Sequence, residues 1–540
     1  MRSGLAHAAL AFVIVAVVAL SAGSVRLDSA TSDEPAHIVS GVIKVQERWL
    51  NFFREQPPLM NSLTALPVVL SGYRVAPGWF GGNHWIVGRQ FLYRSGYDAY
   101  RILFLARLPT IVLFAALVAV VYWFVLRQTG SGGWAIAGAA LTGFCPTLMA
   151  HGRLATVDLG LAFFCFAAAA LLIRLIEKPS FPMAILFGIA AVAAPMSKVS
   201  GLILGPWCAV VIAGAFLARR VAEPRRFGLS LAVAFVAAVV FFELVGLAEI
   251  GPAFARLQYP STPRLFIPFA EYVANIRTIE AWYEKGNALP QFLMGRFSQS
   301  GWPHYYFMAF LLKTPIPAIV LFVIALVVGI RLRSFAFFTL LSFVVLFFAV
   351  AAAGHLALGV RYVLPVYPFL YALTAIALQG ARLGRAGIAL VIVMIAWHAA
   401  ENVKTYPSYI AYFNELIGSP RNADKFLIDS NLDWGQDLRR LDLWARTNGV
   451  RQMTIHYFGG GSIEYELHVP RTILMAPGPR LLPKGYFALS RHFYRLSDDP
   501  ELWGVSYDDY LAASGAQFIT SIGGSINVYR IEPGTHSYSQ

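Results

Sequence analysis

The feature that most constrains this chain is the recurrence of apolar runs of about 17–25 residues, each long enough to cross a bilayer as a helix. Eleven such runs are predicted as spans: Ala6–Ala22, Ile102–Leu126, Trp134–Ala150, Leu159–Ile176, Pro182–Ala194, Gly201–Ala218, Phe227–Leu247, Tyr305–Ile330, Phe335–Ala353, Tyr362–Leu378 and Ala386–Ala400. Only 13% of the 540 residues are charged, where a soluble protein carries roughly a quarter. The expectation is a polytopic α-helical membrane protein. Its spans should occupy residues 1–400, with outer loops at 25–101 and 248–304. A small soluble α/β domain should fill residues 401–540.

Placing the N-terminus in the cytoplasm gives loops that carry Arg2, Arg127, Arg174, Lys178, Arg219, Arg220, Arg225, Arg226, Arg331, Arg333, Arg382 and Arg385, against two acids, Glu177 and Glu223. Lys and Arg in short loops set orientation, so this arrangement accounts for the net charge of +14 without nucleic acid as a partner. The C-terminal domain then lies outside, which for a bacterial inner membrane is the periplasm. The first run also has the form of a cleaved signal peptide, Arg2 and an apolar core before "SAGS". A retained helix is preferred because Asp33 follows so closely. The three cysteines, Cys145, Cys165 and Cys208, all sit within apolar runs and read as core residues.

The first outer loop reads "TSDEPAHIVSGVIKVQERWLNFFREQPP". Ile38, Val42, Val45, Trp49 and Phe52/Phe53 recur at helical spacing, with Ser40, Lys44, Glu47, Arg48 and Asn51 opposite, which predicts an interfacial amphipathic helix. "SDEP" can cap that helix and "EQPPL" can stop it. Capping uses one acid, however, and Asp33 and Glu34 are adjacent at membrane depth, where ionisable groups are costly and point to function. Asp158 opens the fourth span on the same side, as a cap or as a second functional acid. Arg153, Lys198, Lys313 and Arg361 lie on or just inside that side, against the charge bias of the loops. Snorkelling explains any one of them; together with the acids they suit an anionic ligand such as a phosphate.

A carboxylate beside cations at a membrane surface suits group transfer from a lipid-linked phosphate. The carboxylate removes the proton of an acceptor hydroxyl, and the cations stabilise the departing phosphate. The loop with "DE", an amphipathic helix and "E-x-P-P-L" resembles the GT-C glycosyltransferases, in particular the protein O-mannosyltransferases and lipid A aminoarabinose transferases. "ATVDLGLAFF", "SKVSGL", "GWPHYYFMAFLLKTP", "RYVLPVYPFLY" and "YFNELIGSPRNADKFLIDSNLDWGQDL" resemble later blocks of bacterial members, in the same order. The resemblance implies a membrane enzyme that transfers a hexosyl or pentosyl group from a polyprenyl-phosphate sugar to a protein, lipid or glycan hydroxyl, with inversion. It implies Asp33 as base, Glu34 as a second acid, Asp158 as the second acidic site, and Lys198 and Arg361 near the donor phosphate. Glu55 matches an acid that helps hold a metal in some relatives, so a divalent ion is a candidate cofactor, with Glu55, His304 and His355 as candidate ligands. Gln56 departs from the pattern, which usually has His or Lys there.

The competing function is a transporter or lipid flippase. Those place ionisable residues near mid-bilayer, often in repeated halves, and neither pattern is evident here. In the second outer loop "AEYVANIRTIEAWYEKGNALPQFLMG" reads as a helix ending near Gly286 and as a candidate lid over the site. In the tail, "KFLIDSN" reads as strand and turn, "DWGQDLRRLDLWARTNG" as a helix ending at Gly449, and "QMTIHYFG", "GYFALS" and "AQFITSIGGSINVYRIE" as strands. Asp429, Asp433 and Asp437 lack the ligand order of a calcium loop and read as structural or acceptor-facing, with Asp433 as a helix cap.

Overall fold

The computed structural model describes residues 3–76, 79, 82–285, 289–354, 356–475, 485–499 and 501–532. In chain order the helices are α1 (Ser3–Val25), α2 (Glu34–Glu47), α3 (Pro58–Leu70), α4 (His84–Tyr93), α5 (Ala99–Thr129), α6 (Gly132–Gly143), α7 (Pro146–His151), α8 (Asp158–Glu177), α9 (Phe181–Ser197), α10 (Leu204–Leu217), α11 (Pro224–Ala248), α12 (Pro252–Gln258), α13 (Ile267–Lys285), α14 (Tyr305–Lys313), α15 (Ile316–Leu332), α16 (Phe335–Ala353), α17 (Val366–Gly380), α18 (Arg385–Thr405) and α19 (Leu438–Thr447).

Every apolar run forms helix, but eleven full spans do not result. Among the described residues seven helices are long and apolar enough to cross a membrane, and the bent pair α14–α15 makes an eighth if it counts as one span. That pair bends by 116° at Thr314–Pro315, where Pro315 cannot continue the helix. The run Trp134–Ala150 splits into α6 and the six-residue α7 because Pro146 starts a new first turn. The helices α9 and α17 reach 17 and 15 residues, at and below the lower limit for a full crossing. The outward faces of α1, α11 and α18 carry exposed Phe12, Phe235 and Ile392, as lipid-facing surfaces do.

The first outer loop departs most from its sequence pattern. The helix α2 ends at Glu47, because Arg48 takes a left-handed conformation at φ 54°, so Trp49, Phe52 and Phe53 are not part of it. It does not rest on a surface: every residue from Glu34 to Lys44 is buried, including Ser40 and Lys44 on the side expected to face water. Its polar face is used internally, with Ser40 Oγ donating to the Phe52 carbonyl at 3.0 Å. Gly41 permits this packing, since a Cβ there would stand 1.9 Å from the carbonyl oxygen of Asn61 in α3.

The C-terminal region holds a five-stranded sheet of β3 (Met453–His456), β4 (Arg471–Ile473), β5 (Gly485–Ser490), β6 (Gln517–Ile522) and β7 (Ile526–Ile531); a small hairpin of β1 (Gln291–Leu293) and β2 (Arg296–Ser298) precedes it in the second outer loop. The order is β4-β3-β5-β7-β6, with β3 parallel to both β4 and β5, and β7 antiparallel to β5 and β6. Leu438, Leu441 and Ala445 of α19 pack on Ile455, Ala488 and Val528 of the sheet. "KFLIDSN" is not a strand; it forms short helical turns at Pro420–Lys425 and Asp429–Asn431. The helix of the next segment starts at Leu438, and Asp433 does not cap it. Asp433 instead accepts hydrogen bonds from Ser490 Oγ and, at 3.1 Å, from the Gly435 amide.

The C-terminal region is fastened to the first outer loop. Backbone amides of Ser29 and Ser32 donate to the carbonyls of Gln436 and Trp434, each at 2.9 Å. Asp28, fully enclosed, pairs with both Arg153 and Arg440. Glu466 accepts from Ser29 Oγ at 2.5 Å and Tyr93 Oη at 3.1 Å, and burial pushes its pKa up to about 7. The raised value sets the sign: its contribution to stability is complete below the ordinary carboxylate range and is lost as the pH rises towards 7. Glu466→Gln is therefore expected to flatten the fall of Tm between pH 5 and pH 8. The wild type should lose on the order of 3 kcal/mol more than the variant over that interval. Parallel thermal scans of both proteins across that range check this.

Candidate active site

A cavity of about 380 Å³ opens between the first outer loop and the membrane helices. One end is polar, lined by Asp33, His37, Glu55, Gln56, Lys198, Ser200 and Arg361. The other is apolar, lined by Ile203, Phe347, Val350, Ala351, Leu356 and Leu358. Trp85 of α4 and Ile279 of α13 add walls from the two outer loops. Thus α13 of the second outer loop does reach the cavity; the predicted helix end at Gly286 lies outside the described residues, and β1 belongs to the remainder of the segment.

Asp33 precedes the first turn of α2, where Glu34 and Pro35 begin the helix, and its side chain makes no capping bond. Its carboxylate accepts instead from Arg361 Nη1 at 2.7 Å. Arg361 lies in a short helical turn before α17, with its guanidinium 4.3 Å above the Trp434 ring. Asp158 is in the first turn of α8 and likewise caps nothing. It accepts from Lys198 Nζ at 2.6 Å, and its second oxygen, without a hydrogen-bond partner, lies 3.7 Å from Arg361. Lys198 also stands 3.9 Å from the centroid of the Tyr362 ring. The four charged residues form one chain, Asp33–Arg361–Asp158–Lys198, of which Asp33, Arg361 and Lys198 line the cavity and the enclosed Asp158 holds the two cations. Asp33 is about one-fifth exposed and Asp158 is enclosed, so of these two Asp33 is the carboxylate open to a ligand.

Glu34, Arg153 and Lys313 are spent on the fold and do not line this cavity. Glu34, adjacent to Asp33, is fully buried and accepts from Arg107 Nε and Nη2 at 2.7 and 2.6 Å and from the amides of Ala155 and Thr31, each at 2.9 Å. Burial works to raise its pKa, but Arg107 overrides this and holds it below the ordinary value. With every lone pair committed, Glu34 is a clamp and not a second acid. Arg153 is enclosed against Asp28 and Tyr409. Lys313 donates to the carbonyls of Ile410 and Asn431 at 2.8 and 2.6 Å. Both cations hold the C-terminal segment to the helices and do not line the cavity.

Glu55 and His304, the two candidate metal ligands among the described residues, do not share the cavity. Glu55 lines the cavity, but His304 is exposed at the start of α14 and does not line it, and His355 lies outside the described residues. Among the described residues no group of three or more His, Cys, Asp or Glu is placed to hold a metal ion. The neighbour that Glu55 does have is His84, at 3.8 Å. Burial and the charge of Asp33 raise the Glu55 pKa, and burial brings His84 down to about 4.

His37 was not a candidate from sequence. It lies one helical turn after Asp33 and lines the same cavity. Its Nδ1 is 2.8 Å from Asn61 Oδ1, and an amide oxygen only accepts, so Nδ1 carries the proton and Nε2 keeps a lone pair. Burial lowers its pKa, which keeps the ring neutral. Gln56 lines the cavity too, and its buried Oε1 has no hydrogen-bond partner. Trp434 and Tyr362, the rings beneath the two cations, also went unmarked, although Tyr362 adjoins Arg361 in "GVRYVLP".

No protein-family model and no curated protein sequence matches the chain. Among solved structures it is similar to ArnT from Cupriavidus metallidurans, crystallised bound to undecaprenyl phosphate, over all of both chains at 14% identity and a TM-score of 0.48. The apo form of that protein aligns over 96% of this chain and 97% of its own, at 13% identity and a TM-score of 0.49. The archaeal oligosaccharyltransferase AglB from Archaeoglobus fulgidus aligns over 98% of this chain and 75% of its own, at 12% identity and a TM-score of 0.45. The protein O-mannosyltransferase complex Pmt1-Pmt2 of S. cerevisiae aligns over 56% of this chain and 41% of its own, at 16% identity and a TM-score of 0.34.

Proposed function

We propose that this protein is a membrane glycosyltransferase that moves a sugar from a polyprenyl-phosphate donor to an acceptor hydroxyl. The observation that carries this reading is a single cavity in which an accessible carboxylate, Asp33, adjoins two cations, Arg361 and Lys198, and continues into an apolar wall. The apolar end suits the first isoprene units, the cations suit the phosphate, and the polar end suits the sugar and acceptor.

In the proposed reaction Asp33 takes the proton of the acceptor hydroxyl while its oxygen attacks the anomeric carbon. The bond from that carbon to the phosphate oxygen breaks, and the polyprenyl phosphate departs with the electron pair, stabilised by Arg361 and Lys198. Attack opposite the leaving group inverts the anomeric centre. Without donor, Arg361 bonds to Asp33; an arriving phosphate would compete for the guanidinium and release the carboxylate to act as base. Asp158 orients Lys198 and Arg361. No step is routed through a metal. The helix ends away from the cavity carry Arg127, Arg174, Arg219, Arg220, Arg331, Arg333 and Arg385, which supports a cavity on the outer, periplasmic face of a bacterial inner membrane.

The test is to incubate the purified full-length protein with a panel of polyprenyl-phosphate hexoses and pentoses and with protein, lipid and glycan acceptors. Release of polyprenyl phosphate coupled to glycosylated product is the expected outcome. Movement of lipid-linked sugar across a vesicle with no bond broken would instead favour a flippase. Lys198→Ala is expected to raise the donor KM about 10- to 100-fold, as loss of one charge-assisted hydrogen bond does, with less effect on the acceptor KM. Steady-state kinetics in each substrate separates the two.

A further inference from the structure

A second concavity lies where α1 ends and α5 begins, on the same side of the membrane as the Asp33 cavity. It measures about 420 Å³, and four arginines line it: Arg26, Arg101, Arg107 and Arg439. Arg107 is committed to Glu34. The other three form no ion pair within 4 Å among the described residues. The two carboxylates that share the lining are already engaged. Asp28 holds Arg153 and Arg440. Asp98 caps α5 by accepting from the Tyr100 amide at 2.9 Å and the Arg101 amide at 3.3 Å.

Two of these cations are placed by aromatic and backbone contacts. Arg439 lies 3.9 Å from the centroid of the Tyr100 ring, and its Nη1 donates to the Arg26 carbonyl at 2.7 Å. Arg26 lies over Phe104 at 5.6 Å. Three guanidinium groups that line one concavity and form no ion pair among the described residues make a site for an anion with several acceptor oxygens. The concavity lies at the end of α1 and the start of α5, two helices long and apolar enough to cross a membrane. Below it α1 exposes Phe12, Val15 and Val18 and α5 exposes Val112, surfaces that face hydrocarbon. A soluble anion needs no such surface; an acyl chain does.

We propose that this arginine cavity binds the phosphate of an anionic phospholipid, with the acyl chains along α1 and α5. The assignment does not depend on the transferase reading. Because Arg107 lines this cavity and also holds Glu34, the bound lipid would brace the first turn of α2.

The experiment uses the full-length protein in a neutral detergent, titrated with phosphatidylglycerol, with phosphatidylcholine and with inorganic phosphate. Binding is read by native mass spectrometry and thermal unfolding. Phosphatidylglycerol is expected to bind at least tenfold more tightly than phosphatidylcholine and to raise Tm. The double variant Arg26→Gln/Arg101→Gln, both exposed side chains, should lose that preference while unfolding at the wild-type temperature without lipid. Arg439→Gln should weaken binding separately. Equal binding of the two lipids, an unchanged preference in the double variant, or an equal rise in Tm with inorganic phosphate would each overturn the proposal, the last by showing a site for free anions.

Discussion

Asp33→Asn is expected to reduce sugar transfer by about two to four orders of magnitude, the range that general-base removal usually costs. The amide is isosteric and can still accept from Arg361, so the chain Asp33–Arg361–Asp158–Lys198 should persist. What is lost is the ability to take a proton from the acceptor. Donor binding should be retained or tightened, because the lipid and phosphate contacts belong to other residues of the cavity and a neutral amide in place of the carboxylate competes less for Arg361. Direct titration of polyprenyl phosphate by fluorescence quenching, with single-turnover assays, separates binding from chemistry. A folded Asp33→Asn protein with wild-type turnover would remove Asp33 from the base role and leave His37, one turn along the same helix, as the remaining neutral acceptor.

Glu34→Ala is expected to destabilise the protein by roughly 3–5 kcal/mol, the range seen when one partner of a buried ion pair is removed. The substitution strands Arg107 in a fully buried position and leaves the Ala155 and Thr31 amides without their acceptor. The same clamp ties α2 to α5 and to the start of α8, so the Asp33 turn should loosen with it. The pH dependence has a defined sign: the lowered pKa of Glu34 makes its contribution complete above the ordinary carboxylate range and lost as the pH falls through the folded value. Thermal unfolding of wild type and Glu34→Ala at pH 7 and pH 4 should show the gap between them narrowing in acid. Adjacent acids would thus fail in different ways, Asp33→Asn in turnover and Glu34→Ala in stability.

That contrast shows where local pattern stops being informative. "SDEP" identifies a polar turn, but Asp33 and Glu34 are neighbours with the same chemistry. On a helix, successive side chains diverge by about 100°. Which of them meets a cavity and which meets Arg107 depends on a partner 73 residues away. The same holds for the cations. Arg153, Lys198, Lys313 and Arg361 look alike from sequence, as polar residues at the ends of apolar runs. Two reach the cavity, and two are absorbed by Asp28 and by backbone carbonyls. The surface-helix reading of α2 failed for a related reason. Its amphipathic period is real, but the polar face meets α3 and the loop at Phe52, and periodicity does not distinguish water from a buried polar neighbour.

Sequence alone determined what depends on local chemistry. Long apolar runs must be helices because hydrocarbon satisfies no backbone group, and each predicted run is helical. Prolines at 146 and 315 mark where runs break, and Asp33, Asp158, Lys198 and Arg361 announce themselves as charges at membrane depth. Tertiary structure decided the rest: how many runs are complete spans, that the "DWGQ" segment braces the Asp33 turn, and which charges are spent on the fold. The physical reason is the range of the interactions. Helix formation and breaking are settled within a few residues, whereas a buried charge is settled by the partner that desolvation obliges it to find, anywhere along the chain.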